Sequence, residues 1–251
     1  MNPANVHTLT SAAFARLERD TCRLTTMSIS FFDAIKQGNR YEVERQLIVD
    51  PTLVHVKENG LSPILIAAYY HEPALASFLA DKTVILTIFE AAATGKINHV
   101  IRLLARDPDL VTAYAPDGFQ PLGLASYFGH YDTAEYLVIA GAPVNSPARN
   151  ELKATPIHSA AAAGHEKIVR LLIDHGADAN IREQGGFTPL HAAAQNGNVK
   201  IIHALLMGGA DLTIKSTDGK TAMDIAMEAG HEKATVLLGE GVTKRFKHRD
   251  Q

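Results

Sequence analysis

The sequence predicts an all-α solenoid of stacked helix–turn–helix units, each introduced by a β-hairpin-like finger. Three observations predict it. Thr155-Pro156-Ile157-His158, Thr188-Pro189-Leu190-His191 and Thr221-Ala222-Met223-Asp224 recur at intervals of 33 residues. Each is followed nine residues on by a glycine, Gly164, Gly197 or Gly230. Beyond each glycine runs a stretch with apolar residues at helical spacing. A fixed period of this length marks units that cannot bury their apolar faces alone and do so by stacking on their neighbours.

Each part of the unit has a physical reason. Thr155 and Thr188 suit the N-cap, where the hydroxyl accepts a backbone N–H, and the next proline suits the first helical position, where no N–H is needed. Ala160-Ala161 and Ala193-Ala194 let helices approach closely, and the glycine closes the first helix in the left-handed conformation that a β-carbon disfavours. The second helix carries Ile168, Val169, Leu171 and Leu172, or Ile201, Ile202, Leu205 and Leu206. It ends at Gly176-Ala177-Asp178 or Gly209-Ala210-Asp211. The stretch from Asp178 through Gly186 is rich in turn residues and projects as a finger.

Through Thr-Pro-Leu-His-x-Ala-Ala-x-x-Gly and Leu-Leu-x-x-Gly-Ala-Asp-x-Asn, as they stand in residues 155–180 and 188–211, the chain resembles the ankyrin repeat family. The resemblance is close over about residues 118–238 and loose over about 29–117. The looser first half is similar to the layout of some bacterial ankyrin proteins. The family implies that finger residues and the two residues before the helix-closing glycine line a concave face that contacts partner proteins. It also implies that His158 and His191 order the fingers.

Aligning on the glycine position gives seven units, at Gly38, His71, Gly95, Gly129, Gly164, Gly197 and Gly230, with spacings of 33, 24, 34, 35, 33 and 33. The spacing of 24 predicts that the finger between units two and three is largely missing. Asp50-Pro51 and Asp107-Pro108 replace Gly-Ala at the end of the second helix in units one and three, and proline stops a helix because it lacks the donor to continue it. The expected organisation is a non-repeat extension over residues 1–28, a repeat domain over 29–238 in one cooperative stack with a continuous apolar spine, and a basic tail over 239–251. Unit one, with Phe31, Phe32, Ala34, Ile35, Val43 and Leu47, and unit seven, with Glu232, Lys233 and Thr235, are the expected caps. For the extension two readings stand: translation starting at Met27, or a short helix over Ser11–Leu24 packing on the cap.

Composition narrows the function classes. With 24 Lys+Arg against 27 Asp+Glu the formal charge is only -3, which gives no general pull towards a polyanion. The single cysteine, Cys22, excludes an intramolecular disulfide and a cysteine zinc cage, and reads as an inert thiol in a cytoplasmic protein. No apolar run of about 18 residues or more predicts a membrane span, and there is no secretory pattern at the N-terminus. The familiar nucleotide-binding, hydrolase and metalloprotease motifs are missing. Repetition at 33 also spreads the histidines along the stack instead of converging them, so the sequence calls for no metal and no cofactor.

Binding is the better-supported reading. The paired positions before the glycine are Lys36-Gln37, Tyr69-Tyr70, Ala93-Thr94, Tyr127-Phe128, Ala162-Ala163, Gln195-Asn196 and Glu228-Ala229. Four of these fourteen are aromatic, whereas a chain with 7 Tyr, 9 Phe and no Trp in 251 residues would place about one there by chance. Exposed aromatics anchor interfaces because they offer large area at low entropic cost. The expectation is therefore a non-catalytic module that holds a protein or peptide through Tyr69, Tyr70, Phe119, Tyr127, Phe128 and Phe187, with Arg182, Glu183, Gln184, Gln195 and Asn196 as a polar rim. The alternative for the same aromatics is that they pack on one another and seal the short unit. Two other classes compete: an enzyme in the irregular region 55–99, using His55, His71, Glu72, Glu90 and His99, and nucleic-acid contact through the tail at Lys244, Arg245, Lys247 and Arg249.

Overall fold

The computed structural model describes residues 29–247, so Cys22 and both readings of the N-terminal extension lie outside the described residues. Seven helix pairs follow one another. They are α1 (Phe31–Lys36) with α2 (Arg40–Val49), α3 (Pro63–Tyr69) with α4 (Pro73–Lys82), α5 (Ile88–Ala93) with α6 (Ile97–Arg106), and α7 (Pro121–Phe128) with α8 (Tyr131–Ile139). The remaining three are α9 (Pro156–Ala163) with α10 (Glu166–Asp174), α11 (Pro189–Gln195) with α12 (Val199–Met207), and α13 (Ala222–Glu228) with α14 (Glu232–Lys247). The first member of each pair lies inside the stack and the second outside.

Thr155 and Thr188 cap α9 and α11 from extended backbone, with proline next, as their chemistry requires. His158 and His191 complete each cap: Nδ1 meets the threonine hydroxyl at 2.9 and 2.8 Å. Their Nε2 atoms lie 3.2 Å from the carbonyls of Phe187 and Lys220 in the next finger. One imidazole thus joins a helix start to the following unit. Among the described residues no finger follows unit seven, and there Asp224 makes the local box with Thr221.

The fingers are stitched in series. The N–H groups of Arg149, Gln184 and Thr217 donate to the carbonyls of Gly118, Leu152 and Gly185 at 2.8–2.9 Å. Among the described residues these contacts do not extend into strands, and the one isolated bridge, Glu58 with Leu61, closes the finger of unit two on itself. Asn145 and Asn180 each grip the Gly-Ala-Asp turn of the next unit, donating to Gly176 and Gly209 and accepting from Asp178 and Asp211.

The residue after each helix-closing glycine leans over the glycine of the unit before. His165 over Gly129 is typical: a β-carbon there, besides being strained at φ +81°, would come within 2.5 Å of the ring, whose Nε2 is 3.0 Å from the Tyr127 carbonyl. Where unit two puts His71 at the glycine position, φ is still +60°. The residue due to lean over it is Lys96, whose ammonium is instead held by Asp81 at 2.8 Å and Ser77 at 3.1 Å. The departure at 71 is matched by one at 96.

Asp50 and Asp107 behave alike, each ending an outer helix and accepting from the backbone N–H two residues on, before a 3-10 turn over Pro51–His55 or Pro108–Thr112. Only residues 83–87 join α4 to α5, so unit three has no finger. The fingers of units two and four become neighbours, with Pro116 packed against Gly60.

One expectation needs correction. The apolar spine is not continuous: the core divides into a cluster from Phe31 to Leu86 and a larger one from Ile88 to Leu238 that also takes in Leu65. Leu61 and Phe128 pack on both. The division falls at the missing finger, where α5 presents Ala91, Ala92 and Ala93, and where α3 and α5 pack less extensively than any other neighbouring inner pair. At the far end, α14 does not stop at 238 but runs on to Lys247, so the backbone of most of the basic tail continues the last helix.

Candidate functional site

The gap at unit three organises the aromatic residues. Tyr69, at the end of α3, reaches past α5 to unit four, where its ring lies 6.3 Å from Tyr127 and 5.3 Å from Phe128 between centroids. Tyr127 and Phe128 sit edge to face at 5.1 Å, the arrangement that ring quadrupoles favour. The Tyr69 hydroxyl donates to Asp117 Oδ2 at 2.7 Å, a bond spanning 48 residues of chain. Asp117 Oδ1 in turn accepts the Phe119 N–H at 3.1 Å, and its carbonyl accepts from Asn150 at 2.9 Å. Burial first, and then the Asp117 carboxylate, push the Tyr69 phenol well above its usual range, so it is a permanent donor.

Tyr69, Tyr127 and Phe128 are all half-buried. Tyr70 stands apart: as the C-cap of α3 it is 51% exposed. Nearby, the Lys36 ammonium pairs with Glu58 at 2.6 Å. That bond, with the Glu58 charge behind it, raises the Lys36 pKa above its ordinary value.

Among the described residues no ring contact joins the other expected residues to this cluster. Phe119 is half-buried against the larger core. Phe187 is half-buried with its ring 5.4 Å from the His191 ring. Arg182 donates to the Lys215 carbonyl at 2.7 Å, Gln184 is exposed, and burial raises the Glu183 carboxyl above its ordinary range. Gln195 and Asn196 are exposed at the end of α11; the Asn196 amide donates to the Ala162 carbonyl at 2.7 Å, and the Gln195 carbonyl lies 3.0 Å from His231 Nε2. The clustered aromatics thus belong to units two and four, and the exposed polar residues to unit six.

Sequence reasoning missed Asp117, Arg149, Leu152 and Met227. Asp117 was findable as the Asp of an Asp-Gly finger turn, but its bond to Tyr69 depends on the missing finger. Arg149 stacks its guanidinium 3.9 Å from the centre of the Tyr114 ring. Leu152 is exposed on the finger of unit five and Met227 near the end of α13, both more than half. Met227 lies three residues before Gly230, one position outside the pairs that the resemblance singled out.

The residues of the competing enzyme reading do not converge. Glu90 is buried in a capping box with Thr87, Glu72 leans over Gly38, His55 and His71 are exposed, and His99 lies on α6. No two of the five share a hydrogen bond among the described residues. Nor do three or more His, Cys, Asp or Glu gather there as a metal cluster. No described helix is long and apolar enough to cross a membrane.

Seven stacked helix pairs joined by fingers define a helical repeat protein. Models of the family described as "Ankyrin repeats (3 copies)" match residues 144–216 and 183–248, and the single "Ankyrin repeat" model matches 117–150. The chain belongs to the ankyrin repeat family. Among curated proteins it is 34% identical over 98 residues to the Drosophila melanogaster ankyrin repeat and KH domain-containing protein mask, which covers 38% of this chain and 2% of that protein. It is 35% identical over 85 residues to the Saccharomyces cerevisiae target of rapamycin complex 2 subunit AVO2, 34% of this chain and 20% of that one. It is 40% identical over 77 residues to the Arabidopsis thaliana serine/threonine-protein kinase VIK, 31% of this chain and 17% of that one. The chain therefore spans a fifth or less of the length of these relatives.

Proposed function

We propose that this chain is a non-catalytic interaction module that holds a protein or peptide partner on the concave face made by its finger tips and inner-helix ends. The observation that carries the reading is Tyr70: a large amphipathic ring, half in solvent, next in sequence to Tyr69, whose ring is held in a cluster with Tyr127 and Phe128. A rigid aromatic floor with one projecting ring loses little entropy on binding. The exposed polar groups of Arg182, Gln184, Gln195 and Asn196 suit the rim, where water remains and contacts give register more than affinity. The likeness to segments of a complex subunit and of a kinase fits a module that works beside other activities, and regulation or inhibition of a partner enzyme is one form this takes. We place it in the cytoplasm as a monomer.

The aromatics serve two purposes in this reading. Tyr69, Tyr127 and Phe128 seal the short unit and shape the floor; Tyr70 reaches the partner. The test is affinity capture with the wild type, Tyr70→Ala and Tyr127→Ala, with thermal melting of each. Tyr70→Ala should lose the captured partner at an unchanged melting temperature, and Tyr127→Ala should lose both. Capture that survives Tyr70→Ala and Gln195→Ala would sink the reading.

A further inference from the structure

Arg149, on the finger of unit five, is built as a binding group and has no acceptor. Its backbone N–H donates to the Gly118 carbonyl at 2.8 Å, and the side-chain amide of Asn150 donates to the Asp117 carbonyl at 2.9 Å. Gly118 has φ +85°, and a β-carbon there would come within 2.7 Å of the Arg149 carbonyl, so the two fingers meet backbone to backbone. The side chain is held as well. Its guanidinium lies 3.9 Å from the centre of the Tyr114 ring, and the Tyr114 hydroxyl is 3.1 Å from the Ser146 hydroxyl, which tethers the ring to the finger that bears Arg149.

A ring orients a guanidinium without using its N–H groups. Arg40, Arg45 and Arg170 direct theirs at carboxylates, and Arg102 and Arg182 at carbonyls. Arg149 is exposed and, among the described residues, makes no ion pair and no side-chain hydrogen bond. On the surrounding finger segments, residues 114–120, 148–154 and 181–187, the other charged groups are Asp117, Glu151, Lys153, Arg182 and Glu183. Asp117 already accepts from the Tyr69 hydroxyl and the Phe119 N–H, and burial raises the Glu183 carboxyl above its ordinary range. Glu151 is exposed and keeps the neighbourhood from being strongly basic. One oriented fork beside one anion suits a single negative charge, and a planar carboxylate matches that fork with two parallel hydrogen bonds. Leu152, more than half exposed on the same finger, adds an apolar contact. Through Asp117 this finger adjoins the one that holds Tyr69, so the group lies one finger from the aromatic cluster.

We propose that Arg149, held on Tyr114, receives the carboxylate of an aspartate or glutamate in the partner, with an apolar neighbour of that residue against Leu152. This rests on the proposed function and names the partner's chemistry, an acidic peptide segment. The test pans a phage-displayed random peptide library on the full chain. Selected peptides are synthesised with fluorescein and titrated by anisotropy against the wild type, Arg149→Ala, Arg149→Lys, Arg149→Glu and Tyr70→Ala. The selected peptides should share an acidic residue, and Arg149→Ala should weaken them by about tenfold. Arg149→Lys should weaken them nearly as much, because an ammonium has no fork. Arg149→Glu should prefer the peptide in which the acidic residue is changed to lysine, a reversal that mere damage to the finger would not produce. Peptides that lose binding to Tyr70→Ala but bind Arg149→Ala as well as the wild type would overturn the assignment and leave the proposed function standing. A library that yields no peptide, or only peptides indifferent to both substitutions, would remove the reading and this inference together. Phosphoserine in place of the acidic residue should bring no gain; tighter binding by about tenfold or more would assign the fork to phosphate and overturn the carboxylate.

Discussion

Tyr69→Phe removes one oxygen and should weaken the joint between the two cores. That oxygen donates to a carboxylate at 2.7 Å across the gap left by the missing finger. A hydrogen bond to a charged group contributes about 1.5–3 kcal/mol, and the half-buried setting of the pair puts it near the lower end, about 1.5–2 kcal/mol. In a domain of this size that lowers the melting temperature by about 4–6 °C. The assay is urea unfolding followed by far-UV circular dichroism, for the wild type, Tyr69→Phe, Asp117→Ala and the double variant. The cycle should return a coupling of about 1 kcal/mol or more, since the residues touch. Tyr69→Ala, which also takes away the ring, should go further and split the transition, with residues 29–86 unfolding first, because two clusters joined by few side chains melt separately once the joint is cut. A coupling near zero, together with a single transition for Tyr69→Ala, would refute the view of Tyr69 as a strut between two cores.

Three further outcomes follow from the same geometry. Burial lowers the His158 pKa from 6.5 to about 4, so below pH 6.5 the unfolded chain takes up a proton that the folded chain refuses. The stability is complete above that pH and declines as pH falls, by about 2 kcal/mol from this residue at pH 5, with His191 and His130 shifted in the same direction; a flat urea midpoint between pH 7.5 and 5 would contradict it. His71→Gly should raise stability by about 0.5–1 kcal/mol in thermal melts, because the residue holds φ +60° without glycine's freedom; unchanged or lower stability would count against strain there. Gly129→Ala should destabilise by about 1 kcal/mol more than Gly176→Ala, since both have positive φ but only Gly129 has a ring above it; equal losses in urea titrations would show that the overlying histidine yields freely.

The repeat was legible because its parts are local. Threonine, proline and glycine at fixed offsets start and stop helices through their own backbone chemistry, and the structure places Thr155, Pro156 and Gly164 in those roles. The spacing of 24 announced the missing finger, and Asp50 and Asp107 announced their matching helix ends. The break in the core was not legible, because Ala91, Ala92 and Ala93 satisfy the inner-helix pattern as well as any other small apolar residues; what they lack is bulk, which counts only once the neighbouring units are in place. The same holds for the aromatics. Their enrichment could be counted, but the separation of Tyr69, which faces across the gap, from Tyr70, which faces water, turns on a single residue at the end of α3. The partner of the Tyr69 hydroxyl, Asp117, lies in a finger that adjoins unit two only because another finger is absent.

A partner gripped on the side of the fingers and inner-helix ends should leave its footprint there. Amide hydrogen exchange on the protein, alone and bound to its captured partner, reads this segment by segment. Slower exchange should gather at residues 68–72, 114–120, 125–130, 182–187 and 195–198, with α2, α6, α8, α10 and α12 unaltered. Slowing confined to those outer helices, or to the last turns of α14, would place the partner elsewhere and contradict the account.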